Sequence, residues 1–246
     1  ATLTGRRSCR QVLVRGGLTI ANGARLATKK LRVFITGTLT VGSPESPARD
    51  VEINLRNRGQ LFSEGRVHIH GEEKTSWTRL RAPCDHCKTI EVQQCRGWKV
   101  GDRVVLVGTG NGHNDQTLAN QEYRTDERRI QSITGCSITL DRNAGQRHRC
   151  EMYKGHVNIN SEVLNMDRSV RIYGTNRNFA DGIRVRQHRG GVMQVNYARV
   201  SNCGLRKLGE YCLHFHHVGP CPTCSFIGNA IGWPSVNKAI TVHGTS

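Results

Sequence analysis

Three histidines late in the sequence are of a type that could transfer protons or bind a metal ion. His214 and His216 alternate with Leu213 and Phe215, and alternate residues of a β-strand point to opposite faces. If the apolar pair faces a core, the two imidazoles share the outer face. His243 follows a second alternating segment. The pattern predicts an outward histidine group that could bind a divalent cation or act as acid and base, although ordinary solvated strand residues would show it too.

Carboxylates suited to glycoside hydrolysis are scarce in this sequence. Cutting a glycosidic bond usually requires two carboxyl groups at a defined separation. The chain has 19 acidic residues, and no close pair stands out among them. Glu210 directly precedes the histidine strand. The candidate catalytic residues are therefore His214, His216, His243 and Glu210, and the shortage of carboxylates favours a binding module over an enzyme.

A second group of side chains could bind anions. Within residues 182–188, parity places Arg184, Arg186 and His188 on one face. Arg171 repeats the arrangement one predicted turn earlier, so stacked coils would form an outward ladder suited to carboxylates and sulfates. The alternative is a solvated basic face. The candidate polyanion-binding residues are Arg171, Arg184, Arg186, His188, His214 and His216.

The net charge limits the choice of partner. A formal charge of +17 over 246 residues attracts polyanions. No aromatic platform is interleaved with the basic groups in the sequence, as single-stranded nucleic acid would favour. We therefore expect an anionic polysaccharide or an acidic protein as the partner, and no nucleic acid.

The ten cysteines indicate the compartment. That number is high for a cytosolic domain, and an even count permits complete pairing. Two Cys-x-x-Cys pairs are also compatible with zinc in an intracellular protein, but they lie far apart and leave six cysteines unexplained. Disulfides, and with them an extracellular or cell-surface location, are favoured, and the connectivity stays open. The disulfide candidates are Cys9, Cys84, Cys87, Cys95, Cys136, Cys150, Cys203, Cys212, Cys221 and Cys224.

The elements that must position these residues are short strands. Val, Ile and Leu recur with a period of two between turns that contain Gly and Asn, which predicts an all-β protein. Ile172, Val195, Phe215 and Ile240 recur at spacings of 23, 20 and 25 residues, the size of a solenoid repeat. A right-handed parallel β-helix fits this pattern, and a β-sandwich is the alternative. Because no polar cap follows the last predicted strand, we expect further coils in a longer chain or a partner that covers this end.

Four motifs stand in order along the sequence. They are Gly71–Thr78, Trp98–Leu106, Ser161–Gly174, and Gly209–His216 together with Ala239–Gly244. In this order they resemble segments of one family, which includes the cell-migration-inducing hyaluronan-binding protein, transmembrane protein 2 and fibrocystin. One departure is visible, since this chain has Ile231-Gly232-Trp233-Pro234 where relatives place a paired histidine before the last strand.

The resemblance implies an extracellular protein with an eight-glycine-type β domain, over about residues 1–150, that leads into a parallel β-helix over residues 151–246. It also implies a link to hyaluronan binding or depolymerisation, carried by the matching positions His214, His216 and His243. We predict an extracellular structural or carbohydrate-binding module for anionic polysaccharide or acidic partners within a surface or matrix assembly. A hyaluronidase-like enzyme is the alternative. No cofactor is expected, apart from a divalent cation that the three histidines could hold.

Overall fold

A computed structural model describes residues 1–109, 125–175, 182–235 and 237–244. All regular elements in these ranges are β-strands, which confirms the all-β class. The described residues contain no helix that is long and apolar enough to cross a bilayer. The chain divides into two compact units, one formed by Ala1–Glu73 with Arg168–Ser246 and the other by Lys74–Asp167.

The first unit is a stack of parallel strands. Two sheets share it, and every strand pairing within them is parallel. The parallel β-helix is therefore confirmed, while its right-handed sense stays a prediction. The strands are β1 (Thr2–Leu3), β2 (Arg6–Val14), β3 (Gly17–Ile20), β4 (Arg25–Val33), β5 (Thr38–Val41), β6 (Val51–Ser63), β7 (Arg66–His70), β18 (Val170–Tyr173), β19 (Arg184–His188), β20 (Val192–Asn196), β21 (Ala198–Cys203), β22 (Leu213–His216), β23 (Ser225–Ile227), β24 (Ala230–Ser235) and β25 (Ile240–His243).

Each coil has three faces, and its longest strand contributes to two of them because it pairs with two different strands. The first part of β6 pairs with β18, from Val51 opposite Val170, and its last part pairs with β19, where Leu61 lies opposite Val185. Between the two parts, Asn57 has a φ of 51°, a left-handed conformation that asparagine tolerates. The first face consists of the early parts of β2, β4 and β6 together with β18, β21 and β24. The second face consists of the late parts of β2, β4 and β6 together with β19, β22 and β25. The third face consists of β1, β3, β5, β7, β20 and β23.

Stacked apolar side chains form the core of this unit. Leu31, Leu61, Val185 and Leu213 follow one another in register on the second face and are fully buried. Burial of each such side chain stabilises the fold by roughly 1.5–3 kcal/mol. The register advances by 28 residues from Val185 to Leu213 and by 27 from Leu213 to Ile240. The expected spacings of 20 to 25 residues were therefore too short.

The expected spacings compared residues on different faces. Ile172 stacks on Val200 on the first face, whereas Val195 stacks on Phe226 on the third. At the last described coil, Ile240 and Val242 are 48% and 60% exposed. Among the described residues, β25 pairs only with β22, so no further strand packs on its other side.

The second unit is antiparallel and interrupts the β-helix. The predicted boundary at residue 150 does not coincide with this division, because Val51 and Val170 already pair in neighbouring coils. The eight-glycine assignment stays a prediction. The main sheet has the order β10-β13-β12-β11-β17-β8. The strands are β8 (Trp77–Arg79), β9 (Cys84–Asp85), β10 (Thr89–Glu91), β11 (Arg103–Leu106), β12 (Asp126–Thr134), β13 (Ser137–Leu140), β14 (Arg147–His148), β15 (Cys150–Tyr153), β16 (Val157–Asn160) and β17 (Glu162–Asn165).

A buried polar network lies in this second unit. The His148 Nε2 atom is 2.9 Å from the Asp126 carboxylate, and the Ser161 hydroxyl is 3.5 Å from His148 Nδ1. These residue types also form catalytic triads. Here, however, the Ser161 hydroxyl donates to the Val107 carbonyl at 2.6 Å, and all three side chains are buried. We therefore assign the network a structural role, since buried polar groups must be hydrogen-bonded.

Four disulfides cross-link the chain. They confirm disulfide formation for eight of the ten candidate cysteines. Cys9 and Cys150 are instead free thiols, so these two candidates do not form disulfides. The Cys150 thiol donates to the Leu80 carbonyl, and burial raises its pKa. The bonds join Cys84 to Cys87, Cys95 to Cys136, Cys203 to Cys212, and Cys221 to Cys224.

Glycines line up at the turn between the second and third faces. A Cβ atom at Gly65 would lie 2.1 Å from the Phe34 carbonyl oxygen, and one at Gly37 would lie 2.2 Å from that of Val14. A Cβ at Gly16, one coil earlier, would meet nothing within 4 Å. Close backbone approach between coils therefore requires glycine at Gly37 and Gly65, but not at Gly16.

We expect Gly65→Ala to destabilise the β-helix, because the added methyl group forces two coils apart. The melting temperature should fall by about 5 °C or more, while Gly16→Ala should change it by less than about 2 °C. Thermal unfolding followed by circular dichroism measures both. Equal melting temperatures for the two variants would contradict the stacked-glycine assignment.

Candidate functional site

The second face brings the predicted histidines together. Arg186 lies beside His214 in the neighbouring coil, and His188 lies beside His216, which in turn lies beside His243. Neighbouring strands are about 4.8 Å apart, so equivalent positions of three coils form a continuous row. We call these five residues the histidine–arginine cluster.

Close nitrogen contacts hold the centre of this cluster. His188 Nδ1 is 3.0 Å from His216 Nδ1 and 3.1 Å from the His216 carbonyl oxygen. The Arg186 guanidinium is 3.2 Å from His216 Nδ1. The same guanidinium is 3.4 Å from His188 Nδ1. Since a guanidinium can only donate and a carbonyl oxygen can only accept, Arg186 donates to His216 Nδ1 and His188 Nδ1 donates to the His216 carbonyl oxygen.

His214 is covered rather than exposed. Its side chain is 1% exposed, although Leu213 and Phe215 do join the core as expected. The Tyr211 ring packs edge-on against His214 with centroids 4.9 Å apart. His214 Nδ1 donates to the Gly209 carbonyl at 3.2 Å, whereas the buried Nε2 atom has no hydrogen-bond partner. The expectation of an outward, solvent-facing His214 was therefore wrong, because the segment before β22 folds over it.

Burial and positive charge keep these imidazoles neutral. Burial, followed by the charge of Arg186, lowers the pKa of His214 to about 4 and the pKa of His216 to about 4. The same two causes lower the pKa of His188. Burial, followed by the charge of Arg184, lowers the pKa of Arg186 itself. At neutral pH the rings of His188, His214 and His216 are therefore neutral donors and acceptors beside the Arg186 cation.

Arg186 differs from its neighbours in having no carboxylate partner. Arg32 forms an ion pair with Glu64 at 3.1 Å, and Arg184 forms one with Glu210. In the part of the chain that the structure describes, no carboxylate forms an ion pair with Arg186, and its buried Nε atom has no hydrogen-bond partner. The Arg186 guanidinium of the cluster could therefore bind an anion.

Phenylalanine rings extend the cluster across earlier coils. The Arg186 guanidinium lies 5.7 Å from the Phe62 ring centre, and Arg32 lies 5.6 Å from Phe62 and 4.5 Å from Phe34. These distances allow cation–π attraction. The expectation that no aromatic platform is interleaved with the basic groups was wrong. Register could have revealed it, because Phe62 occupies the position of Arg186 one coil earlier.

The remaining predicted residues lie at the margin of the cluster or on another face. Glu210 and Arg184 pair with each other. Arg171 does not join the ladder, because β18 belongs to the first face, where Arg171 lies between Glu52 and Arg199 and pairs with Glu52. The structure thus groups Arg184, Arg186, His188, His214, His216 and His243 and separates Arg171 from them.

Three of the histidines could hold a metal ion. Nitrogen atoms of His214, His216 and His243 lie within 4.8 Å of one another. The Arg186 cation, in contact with His216, opposes a second positive charge there. Arg186 therefore disfavours a cation at these histidines, and no cofactor is supported.

Curated proteins share low but extended similarity with this chain. No protein-family model matches it. Fibrocystin-L of Mus musculus is 24% identical and that of Homo sapiens 22% identical, each over 301 aligned residues that cover 96% of this chain and 7% of the relative. The chain thus spans about 7% of the length of these relatives. The fibrocystin part of the predicted resemblance is confirmed.

Solved structures with some likeness include two phage tailspikes. The Pseudomonas phage phi297 tailspike gp61 has a TM-score of 0.32 and 15% identity, covering 95% of this chain and 35% of that one. The Gp54 tailspike of Acinetobacter baumannii bacteriophage AP22, in complex with a capsular saccharide, has a TM-score of 0.28 and 11% identity, covering 83% and 36%.

We expect Arg186→Gln to raise the pKa of both His214 and His216. The variant removes the positive charge of Arg186, which is the second cause of the lowered pKa values, and leaves burial in place. Histidine Cε1–H resonances followed by NMR between pH 8 and pH 4 measure this. Arg142→Gln removes an exposed arginine from the second unit and should leave both pKa values unchanged. Wild-type histidines that titrate near their ordinary pKa would contradict the described burial.

Proposed function

We propose that the second face binds an acidic polysaccharide outside the cell, with the histidine–arginine cluster as its anion-recognising centre. The observation that carries this proposal is Arg186, a half-buried cation among neutral imidazoles with no carboxylate ion pair in the described structure. A ligand carboxylate could accept bonds from its guanidinium in the planar geometry that arginine favours.

The electrostatics favour an anion at this point. Several cationic or protonatable groups converge there, and the carboxylates next to them, Glu64 and Glu210, are already engaged by Arg32 and Arg184. A bound anion would offset the repulsion that lowers the pKa of His188 and His216. Anion binding and proton uptake by the histidines are therefore coupled.

A polysaccharide suits the extended form of the surface. Arg32, Phe62 and Arg186 follow one another across successive coils, at a strand spacing of about 4.8 Å, and Phe34 lies against Arg32. Phenylalanine rings offer apolar faces against which sugar rings can pack, and the arginines between them can contact acidic groups. The formal charge of +17 supports attraction of a polyanion from a distance.

An extracellular location is compatible with two findings. Four disulfides form in the structure, and such bonds persist mainly in oxidising compartments. The similarity to fibrocystin-L extends over 96% of the chain. We include acidic segments of a neighbouring protein as a rival ligand, since they would present the same carboxylates.

Binding without hydrolysis is the better supported activity. A glycosidase of the usual kind needs two carboxyl groups about 5–9.5 Å apart around the scissile bond. Glu210, the predicted carboxylate, is held in an ion pair with Arg184. His214 and His216, with pKa values of about 4, are weak bases at neutral pH. Depolymerisation of a hyaluronan-like polymer is the alternative that the following experiment addresses.

We expect the protein to bind hyaluronan hexasaccharide and Arg186→Ala to weaken binding about tenfold or more, because a charge-assisted bond contributes roughly 1.5–3 kcal/mol. Affinity should rise as the pH falls from 7 to 5, since the bound anion raises the pKa of the histidines. Isothermal titration calorimetry measures both, with Arg142→Ala as a control that removes one exposed charge elsewhere.

The same experiment distinguishes binding from catalysis. Hyaluronan incubated with the purified protein should keep its length on a gel, at pH 5 and at pH 7. Shortening that is lost in His214→Ala would overturn the binding module in favour of the enzyme. Tighter binding of a poly-glutamate peptide than of hexasaccharide would instead identify an acidic protein as the partner.

A further inference from the structure

A second basic surface lies on the first face of the β-helix. A cleft of about 460 Å³ opens there. Its walls are formed by Arg6, Arg7, Arg25, Glu52 and Arg56, and Ser8 and Ala27 lie between them. None of these residues belongs to the histidine–arginine cluster.

Strand register explains why the cleft exists. Arg6 pairs with Arg25 and Arg25 with Glu52, so one row of long side chains crosses three coils. Two residues further along the strands, Ser8 pairs with Ala27. Alternate residues point to the same side of a sheet, so the small side chains of this second row leave a recess beside the long ones. Arg7 has the opposite parity and pairs with Leu26, and it borders the cleft as well.

The charges in the cleft do not balance. Arg25 is neutralised, because it pairs with Asp50 at 2.7 Å and with Glu52 at 3.2 Å. In the described ranges of the chain, no carboxylate pairs with Arg6, Arg7 or Arg56. Their positive charge therefore faces the recess without an internal counter-ion.

Hydrogen bonds orient two of these arginines. The Arg56 guanidinium donates to the Ser8 hydroxyl at 3.0 Å, and the Arg7 guanidinium donates to the Arg6 carbonyl at 3.0 Å. Each guanidinium has five N–H donors, so both keep donors for a ligand. The Ser8 hydroxyl, which accepts from Arg56, keeps its own hydrogen to donate.

We propose that this cleft binds a sulfate group of a sulfated polysaccharide. A sulfate ester offers three terminal oxygens, which matches three arginines and one hydroxyl around a single recess. Arginine stays charged throughout the physiological range, so binding here does not change with pH between 5 and 8. This differs from the pH-coupled recognition proposed for the second face, and the two sites can succeed or fail independently.

The test compares two oligosaccharides on paired variants of the full chain. Arg7→Ala/Arg56→Ala should weaken binding of a heparin-derived hexasaccharide about tenfold or more. It should leave binding of unsulfated hyaluronan hexasaccharide within twofold of the unmodified chain. The control Arg81→Ala/Arg142→Ala removes the same number of exposed arginines from the second unit and should change neither affinity more than twofold. Titration calorimetry at a fixed salt concentration measures the affinity of each variant for each oligosaccharide. Circular dichroism checks that each variant folds.

Three results would overturn the sulfate site. Equal losses in the control pair would show that only net charge matters, and an unchanged affinity of Arg7→Ala/Arg56→Ala would show that the cleft is not used. Tighter binding of a single-stranded DNA hexamer than of the sulfated sugar, lost in the same variant, would assign the cleft to phosphate polymers. Arg186→Ala reports separately on the second face, since it should reduce hyaluronan binding and leave the sulfate contribution of the cleft intact.

Discussion

In-register stacking of parallel coils is the constraint on which the rest of the first unit depends. Once Leu61, Val185 and Leu213 stack in the core, the residues beside them must also align, about 4.8 Å apart. Phe62, Arg186 and His214 are therefore neighbours although they are distant in sequence. Surface chemistry in such a fold consists of rows across strands, and each row is as well ordered as the core beneath it.

Electrostatics give the two surfaces different characters. On the second face, Arg186, for which the described residues supply no carboxylate ion pair, lies among imidazoles whose pKa burial has lowered, so its affinity for anions is linked to protons. On the first face, Arg25, Arg171 and Tyr173 converge on Glu52, while Arg6, Arg7 and Arg56 form no ion pair with a carboxylate of the described residues. The Glu52 network fixes the row in place and leaves the surplus charge at its edge. Together the two faces would distinguish carboxylated from sulfated polymers.

Features of the fold that depend on neighbouring residues could be predicted from the sequence. The alternation around Leu213 and Phe215 correctly predicted a strand with these residues in the core, and the Gly and Asn turns indicated an all-β chain. The sequence was insufficient where distant segments meet. His214 is buried by Tyr211 and by the turn at Gly209, a cover that parity does not encode. The inserted second unit separates Val51 from its partner Val170, so periodicity along the chain could not show that residues 1–73 belong to the β-helix.

The same limitation explains why Arg171 was predicted on the wrong face. Arg171 and Arg184 have similar local patterns, yet their strands belong to different faces of one coil, because the chain turns between them. Only the register shows that Arg171 lies beside Glu52 and that Arg184 lies beside Gln60. The position of Phe62 beside Arg186 could not be predicted for the same reason, because the whole inserted unit lies between these two residues in the sequence.

The most direct test of the central claim is a titration of histidine resonances with hyaluronan hexasaccharide by NMR. If the histidine–arginine cluster binds the anion, the Cε1–H signals of His188 and His216 should shift in a saturable manner. The signal of His86, which is exposed in the second unit, should stay in place. Unchanged signals from His188 and His216 at saturating ligand, or an equal shift of His86, would contradict the account.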